Sequence, residues 1–92
     1  MYAPTFHHSY NIARKARLNY LPIVSVHRDY DVEGRVLWRV MIGITPWVCF
    51  CETVASTRVE AIERAVDIAR ASGGFITQVW AQRGKGMIAQ KF

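Results

Sequence analysis

Apolar and polar residues alternate through the middle of the chain, most regularly from Arg35 to Ile44. In an extended chain successive side chains point to opposite faces, so a period of two predicts a strand. One side of this strand carries only apolar residues and is expected to face a core: Val36, Trp38, Val40, Ile42 and Ile44. Leu21 to Arg28 and Trp47 to Val54 follow the same pattern and predict two more strands.

After Ala55 the apolar period lengthens to that of a helix. Thr57 and Glu60 match a capping box, in which a threonine hydroxyl and a glutamate carboxylate accept hydrogen bonds from free N–H groups at the helix start. Gly73 and Gly74 then supply residues that end a helix readily. The pattern predicts a helix over residues 57–72, with four apolar residues at helical spacing on its buried face: Val59, Ile62, Val66 and Ala69.

The two ends of the chain show shorter patterns. Phe75 to Ala81 and Met87 to Lys91 predict two further strands with a turn between them. Ser9 is a suitable cap residue for a short helix from Tyr10 to about Asn19, while residues 1–9 are expected to be irregular.

Together these elements predict a single α+β domain over residues 1–92. We expect an antiparallel sheet of about four strands, with the helix at 57–72 packed on one face and a short N-terminal helix beside it. The composition agrees with one globular domain, because 51% of the residues are hydrophobic and 21% are charged.

We expect no segment that directs this chain into or across a membrane. Its first twenty residues hold no apolar stretch of the kind found in secretion signals. The longest apolar run, Val40 to Cys51, has 12 residues and contains Pro46, whereas a membrane-spanning helix needs about 20. We therefore expect a cytoplasmic protein that does not contact a membrane.

The formal net charge of +5 is concentrated at the two ends. Residues 1–20 contribute +3 through Arg14, Lys15 and Arg17, with no acid among them. Residues 73–92 contribute another +3, again without an acid, through Arg83, Lys85 and Lys91. If the two ends converge in the fold they form one basic patch, which is typical of a surface that binds polyanions.

The two cysteines, Cys49 and Cys51, are separated by one residue in a predicted strand. Residues two apart in a strand lie roughly 6.5–7 Å from each other, at the limit for a disulfide. As a zinc site the pair lacks half its ligands, which only His7, His8 and His27 could complete. We therefore interpret the cysteines as small apolar residues packed on one face together with Thr53, and expect neither metal nor cofactor.

Two further features are candidates for binding. Arg83 and Lys85 lie among glycines, a pattern that fits either an anion-binding loop or an ordinary hairpin tip. Trp38 belongs to the predicted core, but Trp47 and Trp80 flank polar positions and are expected to lie partly exposed, as anchors at an interface.

The predicted elements follow one another as a short basic helix, three antiparallel strands and a capped helix that begins Ser56-Thr57-Arg58. This order resembles a double-stranded RNA-binding domain over about Tyr10 to Ser72. The resemblance implies duplex binding, with Arg58 in the place of that family's phosphate-gripping lysine pair. The family's Gly-Pro-x-His loop is replaced by the acidic segment Asp29–Gly34, which would repel a minor groove.

More loosely, a short strand-rich chain with one helix and no catalytic motif resembles small phage-encoded inhibitors, including anti-CRISPR proteins. We therefore expect a non-enzymatic binding protein that acts by occlusion, as a phage-type inhibitor of a host nucleic-acid-processing complex. Its partner would be a host protein or nucleoprotein complex in the host cytoplasm. The expected contact residues are Arg14, Lys15, Arg17, Trp47, Trp80, Arg83 and Lys85. The alternatives are a direct double-stranded nucleic-acid-binding module and, more remotely, a metal-dependent enzyme.

Overall fold

One sheet and one helix make up the part of the chain that the computed structural model describes, residues 22–45 and 48–92. In chain order the elements are β1 (Ile23–Tyr30), β2 (Val36–Thr45), β3 (Val48–Ala55), α1 (Arg58–Ala71), β4 (Gln78–Arg83) and β5 (Gly86–Gln90). The predicted α+β class is therefore confirmed. The predicted N-terminal helix and the irregular residues 1–9 lie outside the described residues.

The sheet has five strands in the order β3-β2-β1-β4-β5, and it is mixed. β1 pairs antiparallel with β2, β2 with β3, and β4 with β5, but β1 and β4 run parallel. The predicted antiparallel sheet of about four strands is wrong in this respect. The reason is the crossover: α1 carries the chain from β3 over β2 and β1, so β4 returns in the same direction as β1.

The core lies between α1 and one face of the sheet, which we call the helix face. Val24 of β1 lies between Ile42 and Val79 of the neighbouring strands, and the next row aligns Val26 in the same way. The buried apolar residues of this layer are Val24, Val26, Val40, Ile42, Ala55, Ala61, Ala65, Ala69, Ile76, Val79 and Ala81. Of the five residues predicted to face the core from β2, Val36 is exposed, since it pairs with Tyr30 at the far end of the strand.

The helix packs through a row of alanines rather than through its larger apolar residues. Ala61, Ala65 and Ala69 are buried at four-residue spacing, whereas Val59 is 67% exposed. Ile62 and Val66 are only partly buried at the margin of the core. Val59, Ile62 and Val66 were predicted on the buried face but lie about one position away from the buried row of alanines. This offset corresponds to a rotation of α1 by roughly 100° about its axis. Small side chains let α1 approach the sheet closely, while the strands supply the volume of the core.

The ends of α1 agree with the sequence-based prediction. Thr57 is the N-cap, and its hydroxyl accepts a hydrogen bond from the Glu60 N–H at 3.1 Å. The Glu60 carboxylate accepts from the Ser56 N–H at 3.3 Å. After the last helical residue, Gly73 and Gly74 have φ angles of 65° and 92°, which glycine adopts without steric cost.

A β-bulge at Glu52 reverses the alternation of side chains along β3. Cys51 pairs with Met41, but Thr53 pairs with the next residue, Val40, so Glu52 is left without a partner on β2. Consequently Cys51 lies on the face of the sheet opposite α1, which we call the second face, while Thr53 lies on the helix face. The prediction that Thr53 shares a face with the cysteines is wrong for this reason.

Within the described ranges, no helix has both the length and the apolar character needed to span a membrane.

Candidate binding surface

The second face of the sheet carries a row of buried polar side chains on β1. Ser25 is 0% exposed, and His27 and Asp29 are each 2% exposed. The His27 Nε2 and the Ser25 Oγ are 2.8 Å apart. The Asp29 carboxylate accepts hydrogen bonds from the Arg39 Nε at 2.7 Å and from the Tyr30 N–H at 2.8 Å.

This row contains the residue types of a Ser-His-Asp triad but not its geometry. Asp29 binds Arg39 and the backbone of Tyr30 instead of orienting the imidazole of His27. The Asp29 carboxylate also raises the pKa of the Arg39 guanidinium above its ordinary value. The row is therefore a structural polar network, in which the buried Asp29 carboxylate has the Arg39 guanidinium beside it.

The acidic turn between β1 and β2 contains its own counter-charge, Arg35. Arg35 forms ion pairs with Asp31 at 3.0 Å and with Glu33 at 2.8 Å. The other Asp31 oxygen accepts the N–H groups of Glu33 and Arg35, both at 2.9 Å. Hydrogen bonds from the Arg35 and Glu33 backbone, with the Arg35 side chain, lower the pKa of Asp31 against a weaker opposing effect of desolvation. These contacts hold the turn in shape.

Both cysteines lie on the second face of β3, a strand at the edge of the sheet. Cys51 is exposed, and its Sγ lies 3.4 Å from the Thr53 carbonyl oxygen and 4.0 Å from the Arg39 Nη1. The interpretation of both cysteines as packed apolar residues is therefore wrong for Cys51. The described residues contain no group of three or more His, Cys, Asp or Glu side chains that could hold a metal ion.

Several basic residues converge on Gln82, near the end of β4. The Arg58 Nε donates to the Gln82 carbonyl oxygen at 2.9 Å, and the Gln82 side chain accepts from the Arg28 N–H at 2.9 Å. Arg83 follows directly in the chain, and the Gln82 amide also donates to the Gly84 carbonyl at 3.0 Å. We call the set of four basic residues around this point the basic cluster: Arg28, Arg58, Arg83 and Lys85.

The basic cluster has no ion pair with a carboxylate of the described residues, because the acids nearby are engaged elsewhere. Asp29 pairs with Arg39, and the acidic turn pairs with Arg35. Glu60, in the first turn of α1, pairs with Arg64 at 3.6 Å. The Arg28 Nε is buried and makes no hydrogen bond within the described part. The N-terminus of α1 adds positive potential at the same place, so this end of the molecule favours an anion.

The β4–β5 hairpin presents two members of the basic cluster at its tip. Arg83 pairs with Gly86, which leaves a two-residue turn of Gly84 and Lys85. Gly84 has a φ of 59°, whereas the φ of Lys85 is negative, since no described residue other than glycine has a positive φ. A type II′ turn requires this combination. Arg83 and Lys85 are both exposed.

The structure brings together only some of the predicted contact residues. Trp80 is on the same hairpin as Arg83 and Lys85, but it lies half-buried on the second face opposite Ser25. Lys91 lies beyond the other end of β5, about 17 Å away along a strand of five residues. Four predicted contact residues lie outside the described residues: Arg14, Lys15, Arg17 and Trp47.

Two members of the basic cluster were not among the predicted contacts. The alternation along β1 places Arg28 on the helix face with Val24 and Val26, which is a signal that the sequence contains. Arg58 was linked to phosphate only through the family resemblance. Their meeting with Arg83 depends on the parallel pairing of β1 and β4, which the strand pattern does not reveal.

Comparison with protein-family models, with curated proteins and with solved structures found no match. The described order β1-β2-β3-α1 agrees with part of the layout of a double-stranded RNA-binding domain. However, β4 and β5 extend the sheet beyond it, with β4 parallel to β1. Both family resemblances therefore stay predictions.

Proposed function

We propose that this chain is a non-enzymatic binding protein that acts by occlusion. It would cover an anionic surface of a host nucleic-acid-processing complex, in the manner of a phage-type inhibitor. The observation that carries the proposal is the basic cluster, whose four positive charges have no carboxylate partner in the described part of the chain.

Uncompensated charge of this kind costs free energy in the isolated protein, because like charges repel one another. Binding an acidic or phosphate-rich surface relieves that repulsion and also accelerates encounter. Three of the four side chains are arginines, whose planar guanidinium groups bind carboxylate or phosphate oxygens with two parallel hydrogen bonds. The carboxylates of an acidic protein patch, or the phosphates of nucleic acid that the complex holds, offer matching chemistry.

The test compares two singly reversed variants with the same change in net charge. Arg83→Glu reverses a member of the basic cluster, while Arg70→Glu reverses an exposed residue outside both the basic cluster and β5. Both are used to capture partners from a nuclease-treated bacterial lysate. We expect wild type and the control variant to retain a nucleic-acid-processing protein and the cluster variant to lose it. Equal capture by both variants would contradict the proposal.

A second candidate function is direct binding of double-stranded nucleic acid. It is favoured by the position of Arg58 at the start of α1, where helix N-terminus and guanidinium groups together suit a phosphate. A gel shift with duplex RNA and duplex DNA at two salt concentrations separates the candidates. Tight binding that falls steeply with salt, together with loss of the captured protein after nuclease treatment, would favour this second function.

A further inference from the structure

Among the strands that the structure describes, β5 lies at an edge of the sheet and its outer side is open. Among the described residues β5 pairs only with β4, and its register with β4 is continuous. Its five residues include no charge and no proline. The opposite edge strand, β3, differs, because its bulge at Glu52 interrupts the ladder and a charged side chain stands there. Proteins commonly protect sheet edges with such devices, and β5 has none of them within its length.

The tight turn determines which backbone groups of β5 point outward. In a two-residue hairpin the residues that flank the turn, here Arg83 and Gly86, form a hydrogen-bonded pair. Such pairs alternate with pairs whose N–H and C=O groups point away from the partner strand. Met87 and Ala89 therefore direct their N–H and C=O groups to the open edge. These four groups form the repeating pattern that an added strand would use.

The side chains along this edge define what the added strand must carry. Ile88 is 43% exposed on the helix face of the sheet, so it offers an apolar contact at the middle of the strand. Lys85 precedes β5 and Lys91 follows it, and residues 68–92 contain no acid. The edge is thus apolar at its centre and positive at both ends.

We propose that β5 binds an extended, acidic segment of a partner protein as a sixth strand. The segment would exchange backbone hydrogen bonds with Met87 and Ala89 and place carboxylates near Lys85 and Lys91. This inference rests on the proposed function, because it names the part of the partner that an occluding binding protein would hold.

Two other occupants fit the edge less well. A second copy paired antiparallel about Ile88 would set Lys85 of each chain against Lys91 of the other, which places like charges side by side. A nucleic-acid backbone offers phosphate acceptors but, apart from the 2′-hydroxyl of RNA, no donors for the outward C=O groups of Met87 and Ala89. An extended peptide satisfies both the donors and the acceptors of this edge.

The test uses two synthetic seven-residue peptides with alternating Val and Thr at the centre. One carries glutamates at both ends and the other carries lysines. Amide chemical shifts of the full chain are followed during titration. We expect the glutamate peptide to shift the Met87 and Ala89 amides most, and the lysine peptide to bind about tenfold more weakly. Shifts centred on other elements, equal binding of both peptides or no binding would overturn the proposal.

Variants make the test specific. Lys85→Glu with Lys91→Glu should reverse the preference, so that the lysine peptide binds more tightly. Ala89→Pro removes an outward donor, which edge strands tolerate, and should abolish binding while the melting temperature shows that the fold is kept. If Ala89→Pro does not fold, the reversed peptide preference of Lys85→Glu with Lys91→Glu tests the proposal instead. A dimer of the free protein that Ala89→Pro dissociates would assign the edge to a second copy and overturn the proposal.

A further variant separates this inference from the proposed function. Arg83→Glu belongs to the basic cluster but not to β5, so it should weaken capture of the nucleic-acid-processing partner and leave peptide binding intact. If capture depends on Arg83 but no peptide binds β5, the edge inference fails while the proposed function stands. If the peptides bind β5 but no partner survives nuclease treatment, the proposed function fails.

Discussion

The two faces of the sheet are both buried at β1, yet they are stabilised by different physics. Val24 and Val26 pack against α1, and the free energy of their burial comes from apolar area removed from water. Ser25 and Asp29, which alternate with them, are just as buried but polar. Their burial costs free energy unless each polar group finds a partner, so the second face depends on a few specific bonds. The comparison shows that a strand with polar residues at every second position need not have a solvated face.

The largest effect is expected where the second face buries a charge. Arg39→Ala removes the ion-pair partner of the Asp29 carboxylate, whose side chain is 2% exposed, and should lower the free energy of unfolding by about 3–5 kcal/mol, as measured by urea denaturation. The double variant Asp29→Leu with Arg39→Leu should recover much of this loss, because no unpaired charge remains. Equal destabilisation by both variants would show that the site needs packing rather than ion pairing.

On the helix face the expected effects depend on the row of alanines. Ala65→Leu forces a larger side chain between α1 and the sheet and should cost about 1–3 kcal/mol. Ile62→Ala removes a partly buried side chain and should cost about 1–2 kcal/mol, less than a core position would. If Ile62→Ala proves the more damaging change and Ala65→Leu is neutral, the rotation of α1 described above is wrong.

A smaller effect is expected from the hydroxyl of Ser25. Ser25→Ala removes the group that lies 2.8 Å from the His27 Nε2 and should cost about 1–2 kcal/mol. Ser25→Thr keeps a hydroxyl and serves as the control for the loss of the hydrogen bond. The nitrogen chemical shift of His27 Nε2, measured by NMR, should change in Ser25→Ala and be kept in Ser25→Thr, whereas a purely steric role for Ser25 would not produce this difference.

The smallest effect is expected in the exposed turn, where neither face contributes. The contacts from Arg35 lower the pKa of Asp31 below its ordinary value near 3.8. A carboxylate with a lowered pKa in the folded state stabilises the fold above the unfolded value, and that contribution is lost as the pH falls through the folded value. Asp31→Asn should therefore lower the stability slightly at neutral pH, where this contribution is present, and leave it unchanged at a pH well below the folded pKa, which flattens the acid side of the stability curve. A large loss of stability at neutral pH in Asp31→Asn would mean that the turn nucleates or supports the sheet.

Local structure could be read from the sequence because local chemistry determines it. The alternation from Arg35 to Ile44 predicted β2 within a residue at each end, and the capping box predicted the start of α1. The glycines near Lys85 predicted the hairpin tip without deciding between a plain turn and a binding loop. In each case the deciding contacts lie within a few residues of one another, so neighbours in sequence suffice to specify them.

The tertiary structure decided how these elements face one another. The sequence pattern does not say that β4 pairs parallel with β1, that the bulge at Glu52 moves Thr53 to the helix face, or that α1 packs through Ala61, Ala65 and Ala69. The pattern also does not predict that Arg28, Arg58 and Arg83 meet at Gln82. The physical reason is that apolar size suggested Ile62 and Val66 for the buried face, whereas close packing between two layers selected the small residues beside them. Periodicity identifies an apolar stripe to within about one residue, and only the partner surface determines which side of that stripe is buried.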